Sequence, residues 1–239
     1  MSGTSESPVE VRREGAACVI ALNSERKLNA LSSRIEAAID AALDHPDVRA
    51  GACVVFTGGP RAFSAGADVS ELCDMDPAAI LAYYRATGGV YERVAQLPQP
   101  TVSAIAGYCL GGGLELALAT DFRIAETTAT FGLPEVGRDL LPTWGGHHRL
   151  ARVTGLGRAK ELVLLGRRLD ADGALTAGLV TEVVADGAAR ERALALAEAA
   201  VANAGRATLA RAKALVTAGY SADARTAALL DVLAEAGQA

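Results

Sequence analysis

The stretch that most constrains this chain lies between residues 101 and 125. A short, largely apolar run at 101–106 is followed by Gly107, then Gly111-Gly112-Gly113, then an apolar segment through about Ala119 interrupted only by Glu115, then a second strand-like segment at 122–125 that carries Arg123. A short run like 101–106 is how a strand buried on both faces reads, and two strands joined through a helix lie parallel. The organisation recurs along the chain. Residues 9–23 read as two short strands around the turn at Glu14-Gly15. Residues 32–44 have helical spacing, with Ser33 as N-cap candidate and Glu36 three residues on. Residues 52–57 form another buried strand, stopped at Gly58-Gly59-Pro60. Asp76-Pro77 opens a helix to about Leu97, ended by Pro98 and Pro100, with room for a bend at Gly88-Gly89. After Gly146 the spacing predicts helices at 147–153, 157–165 and 171–177, a last strand near 180–184, and helix throughout from Gly187. The expectation is an α/β architecture with parallel strands and an α-helical tail.

Composition narrows the function classes. Of 239 residues 51% are hydrophobic and 21% charged, which excludes a disordered chain and favours one large domain. Much of the apolar content is alanine and only 4% is aromatic, which suits close helix packing rather than a stacking surface. Twenty-eight acidic against 23 basic residues, with no Lys/Arg cluster, argue against nucleic acid. Residues 1–10 are polar and acidic rather than signal-like, and no run of about 18 apolar residues occurs, so no membrane span and a cytoplasmic protein are expected. Cys18, Cys53, Cys73 and Cys109 are widely spaced, pointing to core packing rather than zinc or disulfides.

Two small-residue turns could present backbone N–H groups to a ligand: residues 62–68, with Gly66, and residues 107–115, whose glycines open a helix. Glu115 stands in the first turn of that helix and Glu135 follows a strand. A helix of about eight residues advances roughly 12 Å and the next strand can run back that far, so both carboxylates can reach one pocket. Taken singly, Glu115 also reads as dipole compensation and Glu135 as a solvated loop residue. Gly107-Tyr108-Cys109-Leu110-Gly111 has the form of a nucleophile elbow, for which Asp121 or Asp139 with His147 or His148 would complete a hydrolase. Adjacent His147 and His148 point about 100° apart on a helix, which disfavours metal.

The segment 62–68, the segment from Ala106-Gly107 through Gly111-Gly112-Gly113-Leu114-Glu115, then Phe131-Gly132-Leu133-Pro134-Glu135, and Leu141-Pro142 with Gly145-Gly146 and Arg149-Leu150 strongly resemble the crotonase (enoyl-CoA hydratase/isomerase) superfamily. The resemblance extends from Asn29-Ala30-Leu31 through Ala177-Gly178-Leu179-Val180 to Lys213. It implies a crotonase-like ββα spiral core over residues 1–186 and a C-terminal α-helical trimerisation region over 187–239, shortened relative to the family. It also implies a homotrimer or dimer of trimers, no metal, and no cofactor other than the coenzyme A of an acyl-CoA thioester substrate. The N–H groups of Ala65 and Gly112 would form the oxyanion hole, Glu115 would activate water and Glu135 would protonate C2. Ala30, Gly66, Ala67, Asp68, Leu110, Pro134, Thr143 and Trp144 would join Ala65 and Gly112 in binding substrate, and Arg26, Lys27 and Arg61 could meet the CoA phosphates. The pair of glutamates favours hydration over isomerisation, with another lyase-type reaction or acyl-CoA binding alone as alternatives. Thr143-Trp144, Arg138 and Asp139 depart from the family pattern, and Trp144 is expected to limit acyl length.

Overall fold

In the computed structural model, which describes residues 7–72 and 75–218, three of the long buried strands are each followed by a tight turn and a three-residue strand in a different sheet. The chain opens with the hairpin β1 (Val9–Glu14) and β2 (Ala17–Leu22), then α1 (Ser33–Leu43) and α2 (Pro46–Ala50). Three ββα passages follow. The first is β3 (Cys53–Thr57), β4 (Ala62–Ser64), α3 (Val69–Leu72) and α4 (Pro77–Ala95); the second is β5 (Thr101–Ile105), β6 (Tyr108–Leu110) and α5 (Gly112–Ala119). The third is β7 (Phe122–Glu126), β8 (Thr130–Gly132), a 3-10 turn at Glu135–Arg138, α6 (Gly146–Thr154) and α7 (Leu156–Leu164). The chain continues through β9 (Arg168–Asp170), α8 (Ala171–Thr176), β10 (Glu182–Val184), α9 (Ala189–Asn203) and α10 (Arg206–Ala218).

The first strand of each passage enters a six-stranded sheet, order β1-β2-β3-β5-β7-β10, parallel except for the opening hairpin. The second enters a four-stranded sheet, order β4-β6-β8-β9, in which β4, β6 and β8 run parallel. This is the expected ββα spiral. The smaller sheet was not expected from the residues, where segments 62–68 and 107–115 read as plain turns. Three residues are too few to show an alternation. One smaller expectation also shifts. The N-cap of α1 is Ser32, whose hydroxyl accepts from Ile35 N at 3.3 Å, not Ser33. α4 runs without a break in its helix through Gly88-Gly89.

The large sheet is buried on both faces. Cys18, Ile20, Val54 and Phe56 pack with α1, α4 and α5 on one side; Ala17, Val19, Cys53 and Val55 pack on the other against Ala189, Ala193 and Ala197 of α9. Those alanines, four apart, let α9 lie close on the sheet. Cys18, Cys53 and Cys109 are buried and free, as core packing requires; Cys73 lies outside the described residues. The buried Arg123 of β7 donates from Nε to Leu179 O at 2.6 Å and from a terminal nitrogen to Thr120 O at 2.7 Å and Ala117 O at 3.4 Å, holding the C-terminal end of α5. Lys213 of α10 reaches Asp121 at 2.8 Å, where Asp121 also accepts from the N–H and hydroxyl of Thr101. No helix among the described residues is long and apolar enough to cross a membrane.

Candidate active site

The carboxyl ends of β4, β6 and β8 stop nearly level, because Cys109 pairs with both Ser64 and Phe131 and Leu110 pairs with Gly132. What leaves those three ends makes up the candidate site: Ala65 to Asp68 from β4, Gly111 and Gly112 from β6, and Leu133 to Glu135 from β8. Ligand sites in parallel sheets collect at such ends, where successive chains diverge. Close approach depends on glycine. Gly66 has φ +96°, and a Cβ there would lie 2.8 Å from Leu110 O and 3.4 Å from Gly112 N. Gly111 has φ +52°, and a Cβ there would lie 2.8 Å from a carboxylate oxygen of Glu135. The first two turns therefore abut, and Glu135 closes over the second.

The N–H directions decide which backbone groups face the site. Ala65 N donates to Leu28 O at 3.0 Å and Gly66 N to Ser64 Oγ at 3.2 Å, so neither is free. Leu31 N donates to Gly66 O and Asp68 N donates to Leu31 O, a parallel bridge that turns the N–H of Ala67 the other way. Among the described residues neither Ala67 N nor Gly112 N has an acceptor. The expectation that Ala65 donates to the ligand fails on this geometry, and Ala67 holds the free N–H of that turn. Asn29 fastens the turn from beneath: its side chain donates to Ala62 O at 3.0 Å and accepts from Ser24 N, and its carbonyl accepts from Ser64 Oγ at 2.8 Å. Asp68, bound to Lys27 at 2.6 Å and to Ser70, latches the same turn to residues 24–31. Lys27 and Ser70 hold its carboxyl below the usual carboxylate range. Lys27 is thus paired within the protein, while Arg26 and Arg61 stand exposed.

The two glutamates arrive from different elements. Glu115, 1% exposed in the first turn of α5, accepts from Gly146 N, the first N–H of α6, at 2.7 Å. Burial pushes its carboxyl up to about 8 and nearby Glu135 adds to the rise, while the N–H groups of Gly146 and Trp144 pull it back. Glu135 opens the 3-10 turn, and its Oε2 is buried without a hydrogen-bond partner. Burial raises its carboxyl too, with Arg138 opposing. Thr143 is exposed, whereas Trp144 is buried, its ring over Gly112: a Cβ at Gly112 would stand 2.4 Å from Trp144 Cζ3 and 3.3 Å from Leu31 Cδ1. Ala30 and Pro134 are half-buried beside these turns and Leu110 is buried at the end of β6.

Tyr84 was not singled out from the sequence. It bonds Thr143, and burial together with Glu115 and Glu135 raises its phenol. The adjacent Tyr83-Tyr84 pair in an aromatic-poor chain was the available signal.

The elbow reading fails. The Cys109 side chain has no exposure, its Sγ lies 3.6 Å from Gly113 O, and burial pushes its thiol far up. Asp121 is committed to Thr101 and Lys213, and His147 meets Pro142 O through Nδ1 at 2.9 Å. No group of three His, Cys, Asp or Glu among the described residues is placed to hold a metal. A cavity of about 500 Å³ lined by Glu92, Thr120, Asp121, Arg149 and Val216 includes neither Glu115 nor Glu135.

Comparison with known proteins gives a consistent result. The family model for enoyl-CoA hydratase/isomerase matches residues 12–233. A Rhizobium meliloti protein named "Probable enoyl-CoA hydratase" is 41% identical over 189 residues, 79% of this chain and 73% of the relative. A Clostridium acetobutylicum short-chain-enoyl-CoA hydratase is 35% identical over 198 residues, 82% of this chain and 76% of that one. The crystal structure of the enoyl-CoA hydratase from Bacillus anthracis superposes with a TM-score of 0.85 at 36% identity, covering 96% of this chain and 90% of the other. A Thermobifida fusca protein crystallised in complex with CoA gives a TM-score of 0.87 at 27% identity, covering 98% and 95%.

Proposed function

Because the chain belongs to the enoyl-CoA hydratase/isomerase family, we propose that it adds water across the 2,3 double bond of a 2-enoyl-CoA thioester. The observation that carries this reading is the pair of carboxylates, buried Glu115 and half-buried Glu135 with its buried Oε2, beside the free N–H groups of Ala67 and Gly112. The thioester oxygen sits between the two N–H groups. As the double bond is attacked, electron density moves onto that oxygen, and one such donor contributes about 2.7–4 kcal/mol in comparable sites. Glu115 accepts a proton from water while the water oxygen bonds to C3. Glu135 gives a proton to C2. The cycle leaves Glu115 protonated and Glu135 ionised, and exchange with solvent restores both. The shared burial supports one proton between two carboxylates at neutral pH.

Ala67 takes the place first given to Ala65, because Ala65 N is bonded to Leu28. Isomerisation needs one acid/base to carry a proton between carbons, and a second carboxylate is then surplus. Thr143 also supplies no further carboxylate. The homotrimer or dimer of trimers is part of the same proposal, and sedimentation velocity measures it.

A panel of acyl-CoA thioesters tests the function. Conjugated 2-enoyl-CoA is expected to lose its enoyl-thioester absorbance and yield the 3-hydroxyacyl-CoA, with Cys109→Ala within about two-fold of the parent. Conversion of a 3-enoyl-CoA to the 2-enoyl isomer without hydration would overturn it.

A further inference from the structure

Trp144 is the chain's single tryptophan, and it is fixed at every polar atom. Its N–H faces Glu115, its carbonyl accepts from Arg149 at 2.9 Å, and its indole N–H donates to Thr87 Oγ1 at 3.1 Å. The ring stacks on Tyr91, centroids 5.0 Å apart at 11°, with Tyr84 at 5.6 Å and Tyr83 at 6.1 Å. Behind this layer lies a carboxyl with no part in the catalytic scheme. Glu36 of α1, 1% exposed, accepts from Tyr91 OH at 2.9 Å and Tyr83 OH at 3.1 Å and also bonds Thr87. The initial capping reading of Glu36 is replaced by this one: the side chain turns inward, away from the helix end.

A carboxyl buried under aromatic rings is a costly filler, because hydrocarbon of the same volume packs there without a desolvation penalty. What it supplies is orientation. Two phenols converging on one carboxyl fix the azimuths of Tyr91 and Tyr83, the Thr87 hydroxyl beside that carboxyl donates to Tyr83 O at 3.0 Å, and Tyr91 and Thr87 together fix the Trp144 ring. The ring is held where a growing acyl chain must pass. With the thioester oxygen at Gly112 N and C3 at Glu115, the next carbons meet the wall beside both, and that wall is Trp144, against Gly112 on one side and against Glu115 through its N–H.

We propose that Trp144 closes the acyl end of the site so that it takes short-chain acyl groups, and that Glu36, through Tyr91 and Thr87, is the positioning residue that keeps it closed. The proposal rests on the hydratase reading for where C3 lies.

The test measures kcat/KM for 2-enoyl-CoA of four, eight and twelve carbons, and in parallel the Kd of the saturated acyl-CoA of each length. The parent is expected to lose about ten-fold or more between four and twelve carbons. Trp144→Ala is expected to flatten or reverse that ratio, mainly through KM for the long chains. Thr87→Val, which removes the indole's acceptor with little change of volume, and Glu36→Leu are expected to raise the twelve-to-four ratio several-fold, and Glu36→Gln to stay near the parent ratio. A parent profile that is flat or rises with length overturns the proposal, as does a Trp144→Ala profile equal to the parent's. If Glu36→Leu and Thr87→Val lower Tm without moving the ratio, Glu36 is structural only and the positioning claim falls. Absence of turnover with length-dependent Kd values that Trp144→Ala abolishes would retain the closed end and reject hydration. Absence of binding at every length rejects both.

Discussion

Glu115 and Glu135 are two carboxylates in one site, held in opposite ways. Glu115 sits in a regular helix and is bonded by the first N–H of α6, so its position is fixed by two helices at once. Glu135 begins a four-residue 3-10 turn, and its inner oxygen has no partner. Burial raises both. The difference is instructive because the two proposed tasks differ in what they demand. A base that must place a water oxygen at one carbon benefits from a carboxylate whose second oxygen is already tied down. An acid that must hand over its proton benefits from an oxygen with nothing else to bond.

The largest effect that could break this comparison is removal of each charge. Glu115→Gln and Glu135→Gln are each expected to lower kcat on a four-carbon 2-enoyl-CoA by about 10²–10⁴-fold. The double variant should fall well short of the product of the two, as for groups acting in one cycle. Either single variant at parental rate ends its assigned role. Next comes pH. With a working base whose carboxyl is pushed up to about 8, kcat/KM should climb on an acid limb near that value rather than near 4.5, and a limb at the ordinary glutamate position would contradict the burial of Glu115.

The smallest effect is on stability. Between the unfolded value of 4.5 and the folded value of about 8, the folded protein keeps a proton on Glu115 that the unfolded chain has lost. Stability therefore drains away as pH rises through that window and is unaffected by this group below it. The Tm of Glu115→Gln relative to the parent should climb between pH 5 and pH 8, each kcal/mol appearing as about 2–4 °C. Glu135→Gln, at a less buried position, should show a weaker trend of the same sign. Equal trends, read by calorimetry across pH, would erase the distinction between a pinned and an unpinned carboxylate.

The residues that announced the large sheet did so through runs such as Cys53–Thr57 and Thr101–Ile105, long enough to register as buried on both faces. β4, β6 and β8 are too short for any period, yet they carry the site. Residue identities singled out Glu115, Glu135 and Gly112 as candidates, and the fold brings the three to one place. They could not separate Ala65 from Ala67, because which N–H is free depends on the turn made by Gly66 at φ +96° and on pairing with residues 28–31. Glu36 was concealed by its spacing from Ser33, which imitates a capping box. Only the approach of α4 shows that it belongs to Tyr83 and Tyr91.

Arg123 gives the short helix α5 a one-sided polarity. Its guanidinium binds the carbonyls that end the helix, so the partial negative charge there meets a full positive charge out of reach of solvent. The opposite end has no such counterweight once Glu115 carries its proton. In the proposed reaction eight peptide dipoles then face the thioester oxygen as an uncompensated positive pole, so the field at that oxygen depends in part on a residue on the far side of the helix.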